Sequence, residues 1–135
     1  METLVRHGML VQKMYDAYKS GDIPLILSSL SKDVIWEVMG EPDVPFAGIY
    51  HGPNDVREFF GKLNDEVESK EMVVEHILEN EGIVIATGHM DAKGRKTGKS
   101  FSTTWAMTWE FNDNGQVVHF RDCFNTLAFA RGLSK

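Results

Sequence analysis

Apolar residues recur at helical spacing along the first third of the chain and at strand spacing along its second half. Leu4, Val11, Met14, Tyr15 and Tyr18 fall on one stripe of a helix. Gly21 is placed to stop that helix and Asp22 to cap the next, where Ile23, Ile26, Leu27 and Leu30 predict a short second helix. Val34 to Met39 (VIWEVM) is β-branched and aromatic, and predicts a strand. Gly40 to Gly52, with Pro42 and Pro45, reads as a loop holding an extended piece at Phe46–Tyr50. Pro53 suits a helix's first turn, and Val56, Phe59, Phe60, Leu63 and Val67 form the stripe behind it.

After residue 70 the period becomes two. Met72, Val74, His76 and Leu78 share one face of a predicted strand, with Val73 and Ile77 on the other. Ile83 to Asp91 predicts the next strand, and Lys93 to Lys99 the hairpin tip that follows. Phe101, Thr103, Trp105, Met107, Trp109 and Phe111 then form an aromatic inner face. Asp113-Asn114-Gly115 is a turn, Gln116 to Phe124 a last strand, and Leu127 to Leu133 a short closing helix. No repeat or linker divides the chain, so residues 1–135 are expected to form one α+β domain. Its three N-terminal-half helices would pack in a curved, mainly antiparallel sheet.

Composition narrows the function classes. With 42% hydrophobic residues the chain is too apolar to be disordered. No apolar run approaches the roughly 20 residues of a membrane span. The first twenty residues, carrying Arg6, His7, Gln12 and Lys13, lack the separate basic and apolar regions of a signal peptide. One cysteine, Cys123, allows no internal disulfide, and the expectation is a cytoplasmic protein. The formal charge of −6 disfavours nucleic acid as a partner.

Candidate chemistry centres on Asp122. In QVVHFRDCF, alternation puts Val118, Phe120, Asp122 and Phe124 on one face and Val117, His119, Arg121 and Cys123 on the other. A carboxyl facing the same way as phenylalanines is desolvated, which raises its pKa toward the range a general acid or base needs. The alternative is a carboxylate that fixes the fold by accepting hydrogen bonds. His76, on the Met72/Val74 face, is the second catalytic candidate, against the reading of a core histidine. Met14, Tyr18, Trp36, Val38, Trp105, Met107, Trp109, Phe120 and Phe124 are candidates to line an apolar ligand cavity, though each also suits plain core. His89 and Asp91 have exterior parity. The five histidines show no metal-type pairing, so no metal or other cofactor is expected. Gly94 to Ser100 (GRKTGKS) has three residues between its glycines where a phosphate loop needs four, and it joins two strands.

Four segments carry a resemblance over nearly the whole chain: YDAYKSGD (Tyr15–Asp22), KDVIWEV (Lys32–Val38), PFAGIYHGPNDVREFF (Pro45–Phe60) and FNDNGQVVHFRDCFNTLAFA (Phe111–Ala130). Together they resemble the SnoaL-like proteins, in the superfamily of nuclear-transport-factor-like domains, ketosteroid isomerases and limonene epoxide hydrolases. The resemblance implies a cone, a curved sheet wrapped over three helices around a pocket, commonly dimeric through the sheet's outer face. It also implies which chemistry is missing. The positions matching the isomerases' tyrosine, aspartate base and acid read Met14, Val38 and Met107. Those matching the epoxide hydrolases' water-positioning and charged residues read Trp36, Val38, Gly88, Met90 and Asp122, and only Asp122 is kept.

The expectation is therefore acid–base chemistry of isomerase, cyclase or lyase type on a small hydrophobic or carbonyl-bearing molecule, with Asp122 acting and His76 assisting. The alternatives are a non-catalytic binder of an apolar ligand and a protein-association domain. Val73, Ile77, Ile83, Ile85 and Val117 are the outward apolar residues available to a homodimer or another partner.

Overall fold

A computed structural model describes residues 2–135, with side chains described from His7 onward, so Leu4 of the first stripe lies outside the described side chains. The elements run α1 (Glu2–Ser20), α2 (Ile23–Ser28), β1 (Leu30–Val38), β2 (Gly48–His51), α3 (Gly52–Glu66), β3 (Val67–Asn80), β4 (Ile83–Gly94), β5 (Ser100–Phe111), β6 (Val117–Phe124) and α4 (Thr126–Leu133). The six strands form one sheet in the order β2-β1-β6-β5-β4-β3, with β1 and β6 parallel and every other pair antiparallel. The chain is thus the α+β arrangement expected, with the helices of the N-terminal half packed on a curved sheet. No helix among the described residues is long and apolar enough to cross a membrane.

Local chemistry sets the helix limits. Gly21, at φ +81°, takes the left-handed turn that ends α1, and its N–H donates to the Tyr18 carbonyl. The Asp22 carboxylate accepts from Leu25 N–H to start α2. That helix ends earlier than its apolar stripe suggests. The Ser28 and Ser29 hydroxyls donate back to the Leu25 carbonyl, and Leu30 leaves to open β1, paired with Val117. Val67 departs from expectation in the same way. It is buried, but as the first residue of β3 opposite Gly94 rather than the last of α3. In both cases an inward position of the strand coincides with the next step of the helical stripe.

Bulges change the face assignment of residues within strands, and besides a β3 shift between Ser69 and Glu71 two of them bear on the expected faces. In β3 the register shifts between Val74, opposite Gly88, and His76, opposite Thr87. Glu75 is the extra residue, and beyond it every side chain changes face. Ile77 and Glu79 turn inward, while His76 and Leu78 turn out, Leu78 with 66% of its surface exposed. In β6 the shift falls between the Glu110–His119 and Phe111–Val117 pairs, with Val118 as the extra residue. Val117 is therefore fully buried in the core rather than outward. Of the five apolar residues assigned outward, Val73, Ile83 and Ile85 keep that face, and Ile77 and Val117 do not.

Candidate functional site

The β6 bulge ends before Phe120, so Phe120, Asp122 and Phe124 keep the alternation expected of them and face the helices. Directly across from Asp122 stand Val38 on β1 and Met107 on β5, both apolar. Helix α1 closes over this part of the sheet with Met14, Tyr15 and Tyr18, and α3 adds Phe59, Phe60 and Leu63. Between them lies a cavity of about 80 Å³, with Asp122 in its wall. A water needs only about 10–15 Å³ of such space, and an engineered 150 Å³ cavity admits benzene. The cavity as it stands is about half that size and holds a molecule smaller than a six-membered ring; a ring-sized ligand requires the walls to give. Met72, Met90 and Met107, flexible and unbranched, are the wall residues best able to do so.

Of the nine residues expected to line this space, eight do: Met14, Tyr18, Trp36, Trp105, Met107, Trp109, Phe120 and Phe124. Val38 does not. It is buried in the core beside Asp122, where it helps to desolvate the carboxyl without touching the cavity. His76 is displaced altogether. The β3 bulge leaves it exposed on the outer face, its Nδ1 3.2 Å from the Thr87 hydroxyl, so it cannot pair with Asp122. His89 and Asp91 are exposed, as their parity predicts. Phe46, Phe129, Met72 and Met90 also line the cavity. Met90 could have been assigned from its alternation with His89 and Asp91, whereas Phe46 follows no periodic pattern.

The polar groups in this apolar space are few and unequally satisfied. The Trp109 Nε1–H donates to the Tyr15 hydroxyl at 3.1 Å, and that hydroxyl donates to Met107 Sδ at 3.1 Å. The Tyr18 hydroxyl shares a 2.8 Å hydrogen bond with Ser69 Oγ. Burial pushes both phenols' pKa values up, the Trp109 and Ser69 hydrogen bonds oppose this, and the Asp122 charge adds to the rise. Neither tyrosine can serve as a base near neutral pH. Asp122 differs. Although the residue as a whole is only half-buried, its Oδ1 is sealed from solvent and has no hydrogen-bond partner among the described residues. Burial alone drives its pKa from 3.8 to about 7. The Trp36 and Trp105 Nε1–H groups are likewise sealed and unpartnered. Among the described residues, no cluster of histidine, cysteine, aspartate and glutamate could hold a metal ion.

The cavity has a thin side. Tyr18, Phe60, Leu63 and Met72 line both it and an open surface groove that carries Lys19, Arg57, Lys70 and Arg95 together with Glu68 and Glu71. These four side chains stand between the cavity and a mixed-charge surface.

Comparison with known proteins agrees with this architecture. The sequence profile of the SnoaL-like domain matches residues 11–120. No curated protein sequence matches the chain. Among solved structures, an NTF2-like protein of unknown function from Burkholderia pseudomallei K96243 superposes with a TM-score of 0.87 at 23% identity, covering 96% of this chain and 98% of that one. TerC, co-crystallised with polyporic acid, superposes with a TM-score of 0.84 at 19% identity, covering 96% and 98%. An LEH-like epoxide hydrolase of M. tuberculosis gives 0.75 at 15% identity, covering 97% and 91%. At these identities the likeness is one of fold.

Proposed function

The chain belongs to the SnoaL-like domain family, and from that premise we propose that it performs acid–base chemistry on a small, largely apolar, carbonyl-bearing molecule, with Asp122 as the proton-transferring group. The observation that carries this reading is the sealed, unpartnered Asp122 carboxyl oxygen in the wall of an apolar cavity. A carboxyl without a partner is a standing cost to the fold. Its pKa near neutrality lets it both take and return a proton at physiological pH. The reaction best suited to one such group is abstraction of a proton next to a carbonyl. The C–H bond breaks to Asp122, its electron pair forms the C=C of an enolate, and the oxygen takes the charge. In a β,γ-unsaturated ketone, return of the proton from Asp122 to the γ-carbon completes an isomerisation. In a molecule with a second carbonyl, the enolate carbon attacks that carbonyl carbon, its C=O π bond breaks, and the alkoxide formed takes the proton back from Asp122 to complete a cyclisation. Hydrolysis fits less well, because among the described residues lining the cavity there is no second carboxylate, histidine, lysine or arginine to activate a water beside Asp122. The LEH-like epoxide hydrolase of the same fold is in keeping with small-molecule chemistry in such a cavity.

The test is proton exchange. A panel of small cyclic ketones is incubated in D2O with the wild type and with Asp122→Asn, and deuterium uptake next to the carbonyl is followed by mass spectrometry. Uptake by the wild type that falls about 10²- to 10⁴-fold in the variant is expected. Equal uptake by both proteins contradicts the role given to Asp122.

One observation favours a second reading, a binder without turnover. Asp122 is the only carboxylate among the described residues lining the cavity, and both tyrosines there are held neutral. Retention of an apolar compound in native mass spectrometry, with no exchange across the ketone panel, would establish that reading. We also propose that two copies associate through the outer sheet face, where Ile83 and Ile85 stand 43% and 44% exposed on one strand beside Leu78. Sedimentation of Ile85→Lys as a monomer beside a dimeric wild type is the expected result.

A further inference from the structure

Charge in the open groove beside the cavity runs opposite to that of the chain as a whole. Its six ionisable side chains, Lys19, Arg57, Lys70, Arg95, Glu68 and Glu71, sum to +2, on a chain whose formal charge is −6. Salt at physiological strength screens charges beyond about 8 Å, so an anion in the groove meets this local excess rather than the acidic whole. Part of the excess is already committed. Lys70 pairs with Glu68, and Arg95 stands 3.9 Å from Glu68 while donating to the backbone carbonyl and side-chain oxygen of Asn64. Lys19 and Arg57 pair with no carboxylate among the described residues. Arg57 donates from Nη1 to Asn54 Oδ1 at 2.9 Å, which leaves its Nε and Nη2 without an acceptor among those residues.

The groove lies between the C-terminal end of α1, one side of α3 and the first half of β3. Arg57, Gly61 and Asn64 recur along α3 at helical spacing and form its wall there. Gly61 is exposed in the interior of that helix, where glycine costs stability relative to alanine. An added Cβ would meet nothing within 4 Å, so no neighbour in the fold requires the glycine. Its missing side chain widens the groove. On β3, Lys70 is the extra residue of the bulge between Ser69 and Glu71, which lets Ser69 and Met72 both turn toward the helices. The 2.8 Å bond between Tyr18 and Ser69 then joins α1 to β3 across the wall. The groove measures about 910 Å³ and the cavity about 80 Å³, and Tyr18, Phe60, Leu63 and Met72 line both. A six-membered ring does not fit the cavity alone, whereas the two spaces together take a molecule with one end in each. Ser69 is exposed, so water replaces its hydrogen bond when Tyr18 swings aside, and opening the wall here forfeits little.

We propose that the groove is a carboxylate-binding site and that the ligand spans the wall, its apolar end in the cavity and its carboxylate at Lys19 and Arg57. The Nε and Nη2 of Arg57 form the fork that takes both oxygens of a carboxylate, and the Lys19 ammonium adds a point charge. A single negative charge suits the groove, because Glu68 and Glu71 oppose a dianion such as a phosphate monoester. The ligand class is then a small apolar monocarboxylic acid rather than a neutral ketone or ester. This deepens the function proposed above by adding a carboxylate to the substrate, and rests on that reading only for the chemistry at Asp122. Access follows from the same arrangement. The charged end stays in the groove while the apolar end passes Tyr18 and Met72.

The experiment titrates octanoate and, separately, octanamide, equal in length but uncharged, into protein carrying ¹³C at its methionine methyls. Met72 lines both groove and cavity, and Met90 and Met107 line the cavity alone, so their signals locate the apolar chain. The expected result is that octanoate moves all three signals and binds about five- to tenfold more tightly than octanamide at low salt, with the preference shrinking at high salt. Lys19→Gln/Arg57→Gln should bring the preference to about twofold or less, while Lys135→Gln, which removes a cation outside the groove, should leave it unchanged. Gly61→Leu projects a side chain into the groove. It should weaken octanoate about tenfold without lowering the thermal midpoint, because leucine is the better helix former. No response to octanoate at its highest soluble concentration overturns the proposal, as does equal affinity for acid and amide. A preference that survives loss of both cations overturns it too, and so do still Met90 and Met107 signals beside a shifted Met72. Octanoate has no ketone, so the titration needs no turnover and separates the two claims. Preference for the acid in both wild type and Asp122→Asn, with equal deuterium uptake, would keep the carboxylate site and remove the catalytic role. A large loss of uptake in Asp122→Asn with no preference for the acid would do the reverse.

Discussion

Two carboxyl groups reach the inner side of the sheet, Glu79 near the end of β3 and Asp122 near the end of β6, and the fold surrounds them differently. Glu79 accepts from His7 Nδ1 at 2.8 Å and from the Gly8 N–H at 2.9 Å, while the His7 ring stacks on Phe111 at 4.6 Å. Both oxygens of the buried group are used, and the result clamps α1 to the sheet. Asp122 has Val38 and Met107 across from it and a sealed oxygen with no partner. Partners exist nearby. One residue away, Arg121 pairs with Glu37 on the outer face at 3.1 Å, and His119 lies between Glu37 and Glu110 at 2.5 and 3.1 Å. The His119 hydrogen bond is the chief influence holding the Glu37 pKa low. Alternation along a single strand thus gives one face a satisfied charge network and the other a lone acid. The lesson is that burial alone does not mark a functional carboxyl; burial without a partner does.

The largest difference between the two carboxyls is expected in the chemistry. Asp122→Asn should lose about 10²- to 10⁴-fold in ketone deuterium uptake, whereas Glu79→Gln, assayed at a temperature where it remains folded, should stay within about threefold of wild type. A comparable loss in both variants would mean that Asp122 acts through the fold as Glu79 does.

Stability should diverge next, and in opposite directions. Below about pH 4 the Asp122 carboxyl is protonated whether the chain is folded or not, and above about pH 7 it is ionised in both states. Between these limits the folded protein keeps a proton that the unfolded chain has released, so this group's contribution to stability is lost as pH rises. The full interval, from 3.8 to about 7, corresponds to about 4 kcal/mol. Asp122→Asn should therefore be more stable than wild type at pH 8 by about 2–3 kcal/mol in urea unfolding, allowing for the cost of a buried amide, and should lose the advantage near pH 4. Glu79→Ala should cost about 2 kcal/mol at pH 7, because it strands His7 and the Gly8 N–H. The smallest effect is expected at His76. His76→Ala should change both uptake and stability little, within about 0.5 kcal/mol, as for an exposed residue outside the cavity.

How far the site was legible depends on where the strands stay regular. Phe120, Asp122 and Phe124 lie beyond the β6 bulge, so simple alternation placed them correctly. The pattern of β5 is uninterrupted through Trp105, Met107 and Trp109, and these too fell as expected. β3 gave no such guidance past Val74. Ile77 and Leu78 are both apolar and Glu75 and Glu79 both acidic, so the two parities look alike and nothing marks Glu75 as the extra residue. Alternation therefore puts His76 on the inner face and gives no sign of the Glu79 clamp. Leu30 and Val67 fit the apolar spacing of the preceding helix and an inward strand position at once, so spacing alone extends each helix too far. The division among the tryptophans had no local signal at all, since the group that satisfies Trp109 lies 94 residues away on α1.

Protonation of the Asp122 carboxyl can be followed directly through its side-chain ¹³C signal, assigned with Asp122→Asn, as pH is varied. A midpoint near pH 7 is the predicted result. A midpoint near pH 4 would mean that water or a partner reaches the group, and would contradict the central claim.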